Sequence, residues 1–401
     1  MSVYIQNIEC QVPETFYPQS VLMEKLKSWL NGSKRTNRYI ERIFKESGID
    51  KRHSVVTDLD AFYRHGEQFD GEVPTTKNRN DFFVTAGKQM FVSLAREAID
   101  RCEHTDYSDI THLVVISCTG FFNPGPDYEI VRELGLNSHV QRYNIGFMGC
   151  HGAFPGLRLA HAICRSDPNA TVLVVAVELC TLHAQHKEDL DSILGCAIFA
   201  DGGASLIVSS KTPQDKSAVL RMEQFESALI PDSEGDMAWL IGNSGFEMVL
   251  SQYVPRIIES NIYEIVAPIL ERRGVAAADV VHWAVHPGGK SILDKIESSL
   301  HLPGRLEASR SILRRYGNMS SATVLFVLKE VLQQPSHKDA ESVLCMAFGP
   351  GLTVEVGFLS KIATAQHISN KPQGADLLPE QQTQVLPAQI GSTAKKIQPT
   401  V

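Results

Sequence analysis

Apolar residues fall into runs of two kinds along this chain. Leu113–Ile116 (LVVI) and Val172–Val177 (VLVVAV) are apolar at every position, as strands covered on both faces require. Between them Leu157–Ile163 (LRLAHAI) spaces its apolar residues as a helix does. Further on, Val281–His286 (VHWAVH) reads as a strand and Val324–Leu328 (VLFVL) as part of a helix. Strand, helix, strand in this order predicts a layered α/β fold.

The pattern also repeats. Asp109-Ile-Thr-His112 leads into one buried strand, and Asp279-Val-Val-His282 leads into Trp283-Ala-Val. Phe199-Ala-Asp-Gly202 opens a glycine turn before Leu206-Ile-Val, and Phe348-Gly-Pro-Gly351 opens another before Thr353-Val-Glu-Val. Two matches in the same order predict a duplicated α/β unit with its seam near residues 210–230. The expected organisation is a first half over 1–215, a second over 216–360 and a tail over 361–401. The tail is rich in Gln, Pro, Thr, Ser and Lys. It has too little apolar surface to offset ordering entropy, which predicts disorder.

Composition excludes several classes. The 401 residues are 43% hydrophobic and 21% charged, ordinary for a globular chain. The net charge of −8 gives no global attraction to nucleic acid or an anionic membrane. No run approaches the roughly 18 apolar residues of a membrane span. Met1–Cys10 lacks the basic start and apolar stretch of a signal peptide, so the expected location is the cytoplasm. None of the eight cysteines forms a C-x-x-C pair, so neither a disulfide framework nor a metal site is expected.

Three residues stand out as candidate chemistry. Cys150, in Gly146-Phe-Met-Gly-Cys-His-Gly152, sits at a sharp turn that feeds a helix. A helix N-terminus favours negative charge and so favours thiolate. His286 ends a strand and enters Pro287-Gly288-Gly289, where it can face a cleft. His282 lies four residues earlier, but no third ligand completes a metal site. Asn318, in Tyr316-Gly-Asn-Met-Ser-Ser-Ala322, precedes a helix and is a candidate amide donor to a developing oxyanion.

Six stretches tie these residues together: Pro124-Gly-Pro-Asp-Tyr128, Gly149-Cys150, Leu190-Asp-Ser192 with Phe199-Ala-Asp-Gly202, His286-Pro-Gly-Gly289, Gly317-Asn-Met-Ser-Ser321 and Phe348-Gly-Pro-Gly-Leu-Thr353. In this order and spacing, residues 109–358 resemble the type III polyketide synthases, the chalcone-synthase-like branch of the thiolase superfamily. Residues 1–108 match more loosely and the tail does not match. The resemblance implies a five-layered α/β/α/β/α fold of two duplicated halves, and a homodimer. It implies acyl-CoA and malonyl-CoA as substrates, with no further cofactor. Cys150 would hold the growing chain as a thioester. His286 would keep it as thiolate. His286 and Asn318 would bind the malonyl thioester carbonyl during decarboxylation. Phe199 falls where the family has an aromatic gatekeeper.

Departures from the plant members bear on the substrate. Cys118 and His183 occupy positions of cavity threonines, Met248 replaces a phenylalanine, Trp239 a glycine, and Asn123 a methionine that reaches across the dimer. Cys180, Gly288, Gly289 and Ser320 would also face substrate. These departures resemble microbial members that make alkylresorcinols or alkylpyrones from fatty acyl starters. Of the family's basic residues at the CoA tunnel, Arg42 alone is matched; Tyr39 and Glu46 fall at the other two positions. A solvated helix face is the other reading of that segment. Two further functions use the same residues: an initiating ketoacyl synthase III-like enzyme of fatty-acid synthesis, and a non-catalytic homologue that binds acyl thioesters.

Overall fold

The computed structural model describes residues 1–63, 73–103, 105–213 and 218–363. Its strands are β1 (Val3–Gln11), β2 (Phe16–Pro18), β3 (Lys51–His53), β4 (His112–Ser117), β5 (Gln141–Gly146), β6 (Thr171–Leu179), β7 (Asp201–Ser209), β8 (Val219–Leu229), β9 (Met237–Gly242), β10 (Gly245–Leu250), β11 (His282–Val285), β12 (Ala340–Gly349) and β13 (Thr353–Ile362). Nine of them hydrogen-bond in the order β11-β12-β13-β8-β1-β7-β6-β4-β5.

That order is nearly symmetric about its centre. β1 and β8 meet antiparallel. Each has an antiparallel outer neighbour, β7 or β13, followed by an antiparallel β6 or β12 and a parallel β4 or β11. β5 is the extra strand of the first half. The echoed segments take matching places: Tyr107–Asp109 and Ala277–Asp279 each form one 3-10 turn just before β4 and β11. The expected seam at 215/216 lies outside the described residues, and the second half's pattern restarts at β8.

Alternating side chains divide the strands between apolar layers, as strand geometry requires. In β4 and β6, Leu113, Val115, Leu173 and Val175 face the outer helix Thr76–Asp100 through Phe91 and Leu94. Val114, Ile116, Val172 and Val174 face inward to the helix Ala153–Ser166 through Phe154, Leu157 and Ala160. The second half repeats this. Val343, Cys345 and Ala347 face the inner helix Thr323–Gln333, while Leu344 and Met346 face the outer helix Val254–Arg273. The result is a thiolase-like stack of helix, sheet, helix, sheet, helix. The inner helix Thr323–Gln333 is buried at every position from Thr323 to Leu328, as a helix covered on opposite sides must be. Each buried Leu or Val in these layers contributes about 1.5–3 kcal/mol relative to exposure.

The second half runs slightly further than its expected end at 360. Lys361 and Ile362 complete β13, and Lys361 is buried because its Nζ donates to the carbonyls of Val331 and Gln334. Those carbonyls end an inner helix, where a cation satisfies otherwise unpaired acceptors. The disorder expected for the tail falls, from residue 364, outside the described residues. No helix among the described residues is long and apolar enough to cross a membrane.

Candidate active site

The two inner helices begin at matching turns, and both turns carry site residues. After β5, Phe147 and Gly149 adopt left-handed backbone, with φ of 59° and 77°. A 3-10 turn over Gly149–His151 then presents Cys150 and leads into Ala153–Ser166. Gly149 is required twice over: its φ is positive, and a Cβ there would lie 2.4 Å from Pro350 Cδ. The Phe348–Gly351 turn is therefore packed directly on the cysteine turn.

The second turn positions Asn318. Its backbone N–H donates to Ile198 O and its carbonyl accepts from Ala200 N–H, both at 2.9 Å, so it is paired across Phe199. Its side-chain Oδ1 accepts from Ser320 N–H at 2.8 Å and from Thr323 Oγ1 at 3.4 Å. The amide is thereby oriented with Nδ2 turned toward Gly288 O, 3.4 Å away, and toward the Cys150 thiol. His286 leaves β11 with its N–H bonded to Met346 O at 2.8 Å.

These three elements meet at one cavity, lined by Cys150, His286 and Asn318 together with Ser320, Cys118, Cys180, Phe199, Trp239, Met248 and Gly288. A second chamber shares Cys180, Phe199, Trp239 and Met248 with it. These four residues form the partition. Trp239 and Met248 are direct cross-strand partners in the β9–β10 hairpin, so they share one face. Trp239 is fixed by its Nε1–H to Cys118 O at 2.9 Å.

The electrostatics differ from a preformed thiolate. Burial pushes the Cys150 thiol up to about 11, against the hydrogen bonds from Ser320 and Asn318, which favour the anion. Burial also pulls His286 down to about 3, and neither ring nitrogen has a protein partner. Burial thus opposes the helix end at Cys150 and favours the neutral ring at His286. Behind the cysteine, fully buried Glu178 accepts from Cys118 N–H (3.0 Å), Thr119 Oγ1 (2.9 Å) and the Ser321 hydroxyl, and burial raises it to about 7.

A carbonyl placed beside Cys150 in this cavity would meet the Asn318 amide N–H and the His286 ring, the kind of donors an enolate needs. Comparison with known proteins agrees with that chemistry. Residues 3–212 match the N-terminal domain and residues 221–363 the C-terminal domain of the chalcone and stilbene synthases. The chain belongs to this family. It is a type III polyketide synthase, one of the transferases that condense acyl and malonyl thioesters. The α-pyrone synthesis polyketide synthase-like Pks18 of Mycobacterium tuberculosis is 32% identical over 321 residues, 79% of this chain and 80% of the relative, and the protein of the same name in Mycobacterium bovis matches equally. Among solved structures, the C-terminal type III polyketide synthase domain of Steely1 from Dictyostelium superposes with a TM-score of 0.81. Its identity is 28%, over 90% of this chain and all of that domain. PKS-I of the brown alga Ectocarpus siliculosus gives the same TM-score and identity, over 90% and 99% of the two chains.

The remaining expected residues of this polyketide synthase are placed unevenly. Cys118 lines the cavity and its Sγ accepts from Gly149 N–H at 3.0 Å, so it braces the Cys150 turn. Cys180 is buried in the partition. His183 lines the second chamber, but both nitrogens are occupied. Phe246 N–H donates to Nδ1 at 3.0 Å and Nε2 bonds Thr119 O at 2.7 Å, which makes His183 a fixed wall. Gly289 lies outside both cavities, at the start of the helix Lys290–Ser299. Arg42 lines neither cavity; its side chain is 74% exposed and pairs with Glu46, as on a solvated face.

Two residues at the site carry no sequence signal of their own. Glu178 lies inside an apolar strand run, where a lone acid is the one hint. Arg52 sits in an ordinary charged stretch, yet it is buried, donates from Nη1 to Phe199 O at 2.7 Å, and fills the space that Gly317 leaves open.

Proposed function

We propose that this synthase loads a medium or long fatty acyl group from CoA onto Cys150, extends it with malonyl-CoA, and releases an alkylpyrone or alkylresorcinol. The convergence of Cys150, His286 and the oriented Asn318 amide on one cavity carries this reading. Loading begins as the Cys150 proton passes to His286 and Sγ attacks the thioester carbonyl; CoA leaves as the thiol, taking that proton. His286 is then neutral again and offers its single N–H. Malonyl-CoA loses carbon dioxide, and the electron pair of the broken C–C bond moves onto the thioester oxygen, held by His286 and Asn318 Nδ2. The resulting carbon nucleophile attacks the acyl group on Cys150 and releases Sγ.

The second chamber supports a long starter. An acyl chain on Cys150 needs room beyond the reacting carbonyl, and each buried methylene contributes about 0.8 kcal/mol. The flexible Met248 suits an alkyl chain passing the partition. Kinship with Pks18 favours a pyrone. The test is incubation with malonyl-CoA and acyl-CoAs from acetyl to long fatty chains, with products identified by mass, for the native protein and Trp239→Gly. The reading expects fatty starters to give the highest kcat/KM and Trp239→Gly to shift the preferred length upward. A native preference for acetyl or aromatic starters over every fatty chain would overturn it.

We also propose a homodimer. Phe121, Tyr128 and Met148 are 43%, 41% and 38% exposed around Asn123, and an apolar surface of this kind suits a partner.

A further inference from the structure

The second chamber is not a plain hydrocarbon slot. Arg52 is 4% exposed and lines it. Its Nε donates to Gln19 Oε1 at 2.9 Å and its Nη1 to Phe199 O at 2.7 Å, both neutral, while Nη2 has no partner among the described residues. The acid that bears on it, Asp201, is engaged by Thr181 and the Val55 N–H. Burial lowers the guanidinium to about 10, which leaves it charged at neutral pH. His186 lines the same chamber, tilted by 35° against Trp29 with ring centroids 4.3 Å apart and edge-on to Tyr63 at 4.8 Å. Its buried Nε2 is also unpartnered.

Two buried nitrogens without protein partners on one chamber wall call for water when the chamber is free. A chain that fills the chamber displaces that water. A saturated chain replaces it with nothing and strands a buried cation, whereas an oxygen at that depth restores the lost bonds. Asp191 lines the chamber too, so a carboxylate end would meet a like charge there. We propose that the chamber binds the distal end of the starter and selects a neutral oxygen-bearing end, a hydroxy- or oxo-acyl thioester in preference to a plain alkyl one. The inference rests on the loading of acyl groups at Cys150 proposed above.

Equilibrium binding to the Cys150→Ala protein, in which no thioester can form, separates recognition from chemistry. The probes are matched saturated, ω-hydroxy and ω-carboxy acyl-CoAs from hexanoyl to tetradecanoyl. At the tightest-binding length, the ω-hydroxy chain should bind at least about tenfold more tightly than the saturated chain, the scale of one unmade hydrogen bond to a buried charged group. Arg52→Met should reduce that ratio to within about twofold, and His186→Phe, which keeps an aromatic ring against Trp29, should reduce it independently if Arg52→Met does not fold. Equal or tighter binding of the saturated chain, tightest binding of the ω-carboxy chain, or a ratio unmoved in both variants would overturn the inference. Turnover by the native protein is read in parallel. Failure to extend any acyl-CoA would remove the synthase reading, while the binding ratio would still decide the chamber's preference.

Discussion

The two inner helices occupy equivalent places in a duplicated scaffold, yet their first turns do opposite chemical work. One follows Gly149 and presents a thiol; the other follows Gly317 and presents an amide. Both glycines have positive φ, and both turns lie where the two halves meet. The difference lies in what holds each residue. Cys150 is braced by Cys118 and Pro350 and keeps a reactive sulfur beside empty space. Asn318 is pinned through backbone and side chain, so it can only donate. Duplication supplies two helix starts facing one cavity, and the departure from symmetry puts a thiol at one and an amide at the other.

Removing either donor should give the larger effect. Asn318→Ala and His286→Gln should each slow malonyl-CoA decarboxylation on the order of 10²–10³, because each removes a donor to the enolate oxygen. Decarboxylation followed by release of labelled carbon dioxide checks this. A variant within about threefold of native would remove that residue from the oxyanion site.

The nucleophile turn gives a smaller and sharper reading. With the thiol raised to about 11, the reactive anion is scarce at neutral pH and grows as pH rises. Alkylation of Cys150 by iodoacetamide should therefore accelerate about tenfold per pH unit between roughly pH 7 and 9. A rate already on a plateau at neutral pH would mean that a thiolate–imidazolium pair exists at rest. In that case the helix end and its hydrogen bonds would outweigh burial.

Local pattern made much of this legible. Uninterrupted apolar runs become doubly covered strands, and the two echoes become equivalent strands because a duplicated unit must repeat its turns as well as its core. The trio was visible through the glycines and prolines beside it, which exist because neighbouring turns pack within a few ångströms. What was hidden depended on burial created by distant segments. Nothing near Arg52 in the chain says that it ends up enclosed, and Glu178 shows only as a lone acid beside an apolar run. For Cys150 the local sequence shows the helix end, which favours thiolate, and does not show the burial, which opposes it. Arg42 stands on an exposed helix face outside both cavities, where charge alone does not separate a CoA-binding residue from a solvated one.

The central claim is that Cys150 carries the acyl chain. Rapid quenching of the native protein with a fatty acyl-CoA, followed by proteolysis and mass measurement, tests it directly. The account predicts the acyl mass on the peptide containing Cys150, extended by two-carbon units when malonyl-CoA is added, and no acyl mass on that peptide in Cys150→Ala. Acyl groups on Cys118 or Cys180 instead, or product formation by Cys150→Ala, would contradict it.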